Sequence, residues 1–219
     1  MNKRFRLRWT LHCAAGELLG IGAAGGIAFL VNHWIGEPAT MVARFLVLAA
    51  MMLAGAIEGS LLGYFQWRVL REKFARLPLK EWAGYTIAIA VLGWFLGMLP
   101  SLFFIPSPEP GQTGAPGVDL DQPFLFAALT IGLGLFLGAL FGLFQWMALR
   151  KYAANAGRWI TANAIGWGLA LGWIYLFASL PQADTPLWLT ICSGICGGIL
   201  AGLTLGAITG WWLQRIPAV

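Results

Sequence analysis

The stretch GSLLGYFQWRVLR at residues 59–71 returns as GALFGLFQWMALR at residues 138–150. Both copies follow the pattern G-x-x-x-G-x-x-Q-W-x-x-L-R. Glycines spaced by four residues lie on one face of a helix and let another helix approach closely. A Trp followed by a basic residue is typical of the point where a membrane helix leaves the bilayer. The repeated stretch therefore predicts two membrane-spanning helices that end on the same side.

Composition extends this prediction to the whole chain. Of its 219 residues, 59% are hydrophobic and 11% are charged, whereas a soluble domain has about 25% charged residues. Six apolar stretches are long enough to cross a bilayer, which takes about 20 residues of helix. They cover residues 11–31, 41–67, 82–104, 124–149, 160–180 and 187–213. The predicted fold class is an all-α integral membrane protein, in which residues 1–219 form a single transmembrane domain of six helices.

The distribution of charge predicts which way the helices cross. Thirteen of the fourteen Lys and Arg residues lie on one side of the six spans, and Arg44 is the exception. Because basic loops stay in the cytoplasm, we expect a multi-pass protein of the bacterial cytoplasmic (inner) membrane with both termini in the cytoplasm. The net charge of +5 follows this division by membrane side, so it does not predict binding to nucleic acid.

The longest loop on the acidic side, residues 105–123, is rich in Pro and Gly and has no hydrophobic periodicity. Such a segment is typical of a flexible surface connection. The alternative is a lid over an outer vestibule. We therefore expect an outer loop there without helix or strand.

The spans repeat as three helical hairpins, with both ends of each in the cytoplasm, at about residues 9–71, 82–150 and 159–215. Each hairpin opens with a Trp that we expect at the membrane interface, namely Trp9, Trp82 and Trp159. We interpret the motif as a packing and orientation device; a polar ring of its Gln and Thr side chains around a cytoplasmic mouth is the alternative. The residues assigned to helix packing are Gly59, Gly63, Gln66, Trp67, Gly138, Gly142, Gln145, Trp146, Gly202, Gly206 and Thr209.

These tandem helix ends resemble those of uncharacterised bacterial multi-pass membrane proteins of the cyanobacterial type. The resemblance covers most of the chain. The third copy departs from it, because Thr209 and Gly210 stand where the other copies have Gln and Trp. The resemblance implies a polytopic membrane protein and no particular activity.

Two carboxyl groups, Glu17 and Glu58, occur only in the first hairpin. At about 1.5 Å per residue, both lie about 12–14 Å from the Trp at the basic end of their span, near the centre of a hydrocarbon core about 30 Å thick. An ionisable residue at that depth is a functional candidate by default. Two adjacent carboxylates in a low dielectric should not both be charged, so they would share a proton or bind a cation. The alternative is a neutral Glu that is hydrogen-bonded within the bundle.

No pattern in the chain predicts a reaction. The two His residues belong to opposite ends of the first span, and the three Cys residues lie in apolar stretches without further ligands nearby. A structural zinc site takes four such ligands. We therefore expect neither a metal site nor an enzyme, and the sequence identifies no cofactor.

Three functions remain open. The leading hypothesis is a polytopic inner-membrane protein that binds or passes a small solute or cation at a polar centre formed by Glu17 and Glu58. The first alternative is a non-enzymatic structural or assembly subunit that packs against other membrane proteins through its glycine ladders. The second is a binder of an apolar ligand or cofactor, in a pocket formed by Trp94, Trp167 and Trp173. The lipid bilayer is the partner that all three require.

Overall fold

The computed structural model describes residues 3–104, 123–182 and 184–219 of the chain. Its helices are α1 Lys3–Ile35, α2 Met41–Leu70, α3 Leu79–Phe103, α4 Pro123–Leu149, α5 Arg158–Ser179 and α6 Leu187–Leu213. All six are long and apolar enough to cross a membrane. The prediction of an all-α membrane protein with six spanning helices is confirmed to this extent. The predicted outer loop, residues 105–123, lies outside the described residues except for its last position, which begins α4.

Helix ends follow local chemistry. The first helix begins at Lys3, earlier than the apolar stretch predicts, because the basic segment continues the same helix. It ends before Gly36, whose positive φ of 64° places it in the left-handed conformation that closes many helices. The second helix begins after Thr40, whose Oγ1 accepts a hydrogen bond from Ala43 N at 3.2 Å. Proline residues precede α3 and α6, where the chain must turn.

The six helices form a closed ring in which each helix packs against the next along the chain and α6 returns to α1. Within the described part of the chain, the contact between α3 and α4 is the least extensive of the six. Even-numbered and odd-numbered helices therefore alternate around the interior of the ring.

Glycine ladders make the closest approaches between helices. Each ladder joins an even-numbered helix to the odd-numbered helix that follows it in the ring: α2 to α3, α4 to α5 and α6 to α1. A Cβ atom at Gly59 would lie 2.7 Å from Ile87 Cα, and one at Gly202 would lie 2.5 Å from Ala14 Cα. These backbones are so close that a larger side chain would have to push the helices apart.

The outer surface of the bundle is apolar between its two ends. Phe124 is 90% exposed, Trp34 79% and Val42 70%. Large hydrophobic side chains also project outward along α1, α2, α4, α5 and α6. A soluble monomer rarely exposes a continuous apolar surface, so this exterior suits contact with lipid chains.

The two ends of the bundle differ in packing. We call the end that carries Arg8, Arg71 and Arg150 the basic end, and the end that carries Glu37 and Asp184 the acidic end. A cluster of fully or nearly fully buried side chains, drawn from all six helices and from the connecting segments, fills the basic end. At the acidic end α1, α2 and α3 share a smaller cluster, while α1, α5 and α6 leave an open crevice.

Polar contacts join the connecting segments at the basic end. Arg8 pairs with Glu72 at 2.7 Å. Lys73 Nζ donates to the carbonyl oxygens of Leu213 at 2.6 Å and Gln214 at 3.2 Å, where it caps the C-terminus of α6. Partial burial lowers the pKa of the Lys73 ammonium group. These contacts fasten the α2–α3 connection to both α1 and α6.

Candidate functional site

Three tryptophans, one from each odd-numbered helix, meet in the centre of the basic end. Trp9, Trp82 and Trp159 are each 0% exposed. The ring centroid of Trp159 lies 5.8 Å from that of Trp9 and 6.0 Å from that of Trp82. We expected these residues at the membrane interface; the structure shows that their indoles are buried inside the basic end, where they fill the space that the ring of helices encloses. We call them the tryptophan plug.

Polar side chains from the even-numbered helices hydrogen-bond to the plug. Trp9 Nε1 donates to Thr209 Oγ1 at 2.9 Å, and Trp159 Nε1 donates to Gln145 Oε1 at 3.0 Å. Gln145 Nε2 in turn donates to Gln66 Oε1 at 3.0 Å. All three polar side chains are buried. The structure thus places the Gln and Thr residues of the repeated motif in a buried network rather than around an open mouth.

Outside the plug, an arginine stacks over a tryptophan at the end of each even-numbered helix. The distances from Arg Cζ to the ring centroid are 5.0 Å for Arg71 and Trp67, 4.8 Å for Arg150 and Trp146, and 3.5 Å for Arg215 and Trp211. Such cation–π pairs fix an arginine where the helix meets the lipid headgroups. Sequence reasoning missed the third pair, because it stands one residue later than the motif predicts.

Glu17 is buried on α1, with 1% of its surface exposed. Neither of its carboxyl oxygens has a hydrogen-bond partner among the described residues. It faces α6, since a Cβ atom at Gly202 would lie 3.0 Å from Glu17 Cβ. A carboxyl group so placed is costly unless it holds a proton or a cation.

Glu58 is half-buried on α2 and turns toward both neighbouring helices. Its Oε2 accepts a hydrogen bond from Trp94 Nε1 of α3 at 2.7 Å. On the other side, a Cβ atom at Gly20 of α1 would lie 2.7 Å from Glu58 Cγ. Gly20 follows Glu17 by about one helical turn, and the two carboxyl groups are close enough for their charges to interact. The structure therefore brings the two predicted residues into one site, which we call the carboxyl pair.

Cys13 lies between the carboxyl pair and the plug. It is a free, buried thiol about one turn from Glu17, and its Sγ accepts a hydrogen bond from Gln66 Nε2 at 3.8 Å. Gln66 belongs to the network that reaches Gln145. Hydrogen bonds thus join Cys13 through Gln66 to Gln145 at the basic end, while Glu17 has none among the described residues. Sequence reasoning placed Cys13 in an apolar stretch without nearby ligands, because nothing in the sequence shows that Gln66 faces it.

The crevice at the acidic end has a volume of about 740 Å³ and lies between α1, α5 and α6. Its inner end is formed by Leu18, Ile21 and Gly198, and its walls include Phe29 and Phe177. No charged side chain is among the residues that line it. Its volume falls within the range of about 300–1,000 Å³ that is usual for ligand pockets.

The three tryptophans that were predicted to form an apolar pocket do not meet. Trp94 donates to Glu58 on one side of the bundle, Trp173 Nε1 donates to Thr204 at 3.1 Å, and Trp167 is buried on α5. None of them is among the residues that line the crevice. Within the described ranges, no group of three or more His, Cys, Asp or Glu side chains is placed to hold a metal ion.

Comparison of the chain with protein-family models, with curated proteins and with solved structures gave no match.

Proposed function

We propose that this polytopic membrane protein binds and passes a cation, whether organic, inorganic or a proton, at the carboxyl pair. The observation that supports this most directly is the burial of Glu17 with both carboxyl oxygens unpartnered. The membrane-embedded part of the chain offers few other charged groups, so the pair dominates the electrostatics of the interior.

The chemistry of the pair favours a positively charged ligand. Removing a carboxylate from water costs several kcal/mol unless a counter-charge accompanies it. Two carboxyl groups at short range cannot both remain ionised at low cost, and a proton or metal cation between them removes the repulsion. Trp94 holds Glu58 in place by its hydrogen bond, which leaves Glu17 as the group that is free to gain a ligand.

We further propose that the basic end faces the cytoplasm of a bacterium, so that both termini lie inside. The Lys and Arg residues at that end support this orientation. Because the tryptophan plug fills the basic end, the cation reaches the carboxyl pair from the acidic side, and its release at the basic end requires the plug to open.

The test is cation-dependent stability of the full chain in detergent. Wild type, Glu17→Gln, Glu58→Gln and the exposed control Glu37→Gln would be melted in Na⁺, in K⁺, in Ca²⁺ and from mildly acidic to mildly alkaline pH. A ligand at a hundred times its Kd stabilises by about 2.7 kcal/mol. We expect wild type and the control to show such a gain with at least one cation, and both carboxyl-pair variants to lose it.

Flux provides the second measurement. In sealed vesicles, a dye inside reports entry of the cation that stabilises the protein. Entry should require Glu17 and Glu58 but not Glu37. If Glu17→Gln and Glu58→Gln match wild type in both assays, the proposed function is refuted.

A further inference from the structure

Resting on the function proposed above, we propose that the ligand of the carboxyl pair is an apolar organic cation that enters from the bilayer through the crevice between α1, α5 and α6. The crevice lies between these helices at the acidic end. Glu17 is not among its lining residues, but it precedes Leu18, which lines the inner end. Three features of the described residues support this. The α1–α6 contact becomes less close next to the crevice, the crevice is lined by apolar residues, and a carboxyl group lies near its inner end.

The contact between α1 and α6 becomes less close about one turn beyond the level of Glu17. The ladder of α6 is tight at Gly206 and Gly202, where a Cβ atom would lie 2.6 Å and 2.5 Å from α1 backbone. At Gly198, one turn further on, the nearest α1 atoms are 3.6 Å away. At the equivalent glycines of the other ladders, a Cβ atom would lie 2.5 Å from α3 in the case of Gly55 and 2.7 Å from α5 in the case of Gly134. Only the α1–α6 contact therefore loosens toward the acidic end.

The lining suits a body without hydrogen-bonding groups. Thr190 carries the only polar side chain among the lining residues, and the rest are aliphatic, aromatic, glycine or proline. A hydrated inorganic ion would lose its water there without oxygen ligands to replace it. Phe29 and Phe177 offer aromatic faces, which attract organic cations. The crevice thus selects for an apolar cation over a polar or anionic solute.

The counter-charge lies just beyond the inner end. Leu18, which lines the crevice, follows Glu17 on α1, and Gly198 precedes by one turn the Gly202 that touches Glu17. One turn of helix is about 5.4 Å, so an apolar cation seated at the inner end has the unpartnered carboxyl group as its nearest charge. The Lys and Arg residues, by contrast, lie at the opposite end of the bundle, with the exception of Arg44 on α2.

The test uses tetraphenylphosphonium as the probe and the full chain in a neutral detergent. We expect saturable binding to wild type by equilibrium dialysis. Gly194 lines the crevice, and a Cβ atom there meets open space, so Gly194→Leu fills the crevice without a backbone clash. Gly97 of α3 also faces open space but does not line the crevice. Gly194→Leu should weaken binding about tenfold or more, whereas Gly97→Leu should leave it unchanged.

Charge dependence is the second arm. Glu17→Gln should also weaken binding about tenfold or more, and neutral triphenylphosphine oxide should not compete with the probe. A second filling variant, Gly25→Leu, repeats the crevice test if Gly194→Leu loses its helical content. Equal competition by the neutral compound, or full binding in a filled variant, would overturn the inference. If the probe fails to bind wild type while the Glu17-dependent effect of a small cation persists, the inference is wrong and the proposed function stands.

Discussion

The contact between α4 and α5 allows a test in which two chemically identical substitutions on one helix have opposite effects. Gly138 is buried in this contact, where a Cβ atom would lie 2.5 Å from Asn163 O and 2.7 Å from Trp167 Cβ. Gly132 lies on the same helix, and a Cβ atom there meets nothing within 4 Å. We predict that Gly138→Ala destabilises the protein and that Gly132→Ala stabilises it.

The magnitude follows from the geometry. A carbon atom in contact with a carbonyl oxygen normally lies about 3.3–3.6 Å away, so the methyl group at Gly138 forces α5 outward by about 0.8 Å. Overpacking of this kind costs about 1–3 kcal/mol. Replacing Gly by Ala within a helix returns about 0.5–1 kcal/mol. We therefore expect a net loss of up to about 2.5 kcal/mol for Gly138→Ala, a net gain of up to about 1 kcal/mol for Gly132→Ala, and a difference of about 1–3 kcal/mol between the two variants.

Reversible unfolding in mixed micelles, followed by far-ultraviolet circular dichroism at rising fractions of dodecyl sulfate, measures both values. Because both variants carry the same gain in helix propensity, the difference between them isolates the cost of opening the α4–α5 contact. An unchanged slope of the transition would show that the change lies in stability rather than in the unfolded state. A Gly138→Ala protein as stable as the Gly132→Ala protein would refute the close packing of these two helices.

Three further predictions follow from the basic end and from the orientation. Gln145→Leu removes an acceptor and a donor from the buried network, so it should lower the free energy of unfolding by about 1–2 kcal/mol in the same assay. An unchanged free energy of unfolding would contradict the network. The hydrogen bond to Glu81 raises the pKa of Lys151 above its usual 10.5, so its stabilising effect is present below that pH and lost as the pH rises through the higher value. Melting temperatures should therefore fall more steeply at strongly alkaline pH in wild type than in Glu81→Gln, and parallel curves would refute this. In sealed right-side-out vesicles, a membrane-impermeant thiol reagent should label Glu37→Cys at once and Arg71→Cys only after permeabilisation. Labelling of both variants from one side would contradict the proposed orientation of the helices in the membrane.

Hydrophobic runs predicted the six helices because the bilayer requires nearly continuous apolar sequence. The glycine spacing likewise marked the faces that pack, but it did not identify their partners, since a flat stripe such as that of Gly138 and Gly142 fits any neighbouring helix. Only the folded ring shows that this stripe contacts α5. The assembly-subunit alternative remains a prediction, although the glycine ladders that suggested it contact helices of the same chain in the structure.

The tryptophans show where sequence reasoning fails. Indoles favour the membrane interface, and they also fill protein interiors where a partner accepts the N–H group. Trp67 and Trp9 lie near the same end of the bundle, yet Trp67 is partly exposed and Trp9 is fully buried. Depth along a helix can be counted from the sequence, whereas the direction in which a residue faces depends on how the helices are arranged. The crevice was not predicted for a related reason, because it is a gap between helices and its position depends on how the helices are arranged.

The three glycine ladders differ at one contact, the one between α1 and α6. The crevice and Glu17 of the carboxyl pair both lie at this contact. A bundle packed alike on all sides would hold every ladder glycine, including Gly198, equally close to its neighbouring helix. Here the α1–α6 contact loosens at Gly198, and the helix on the other side of that contact carries Glu17, an unpartnered acid found in neither of the other hairpins. A defect in packing alone would cost stability and would not require an acid beside it. Since the cavity and the charge coincide in the same contact, a ligand that fits both accounts for them together.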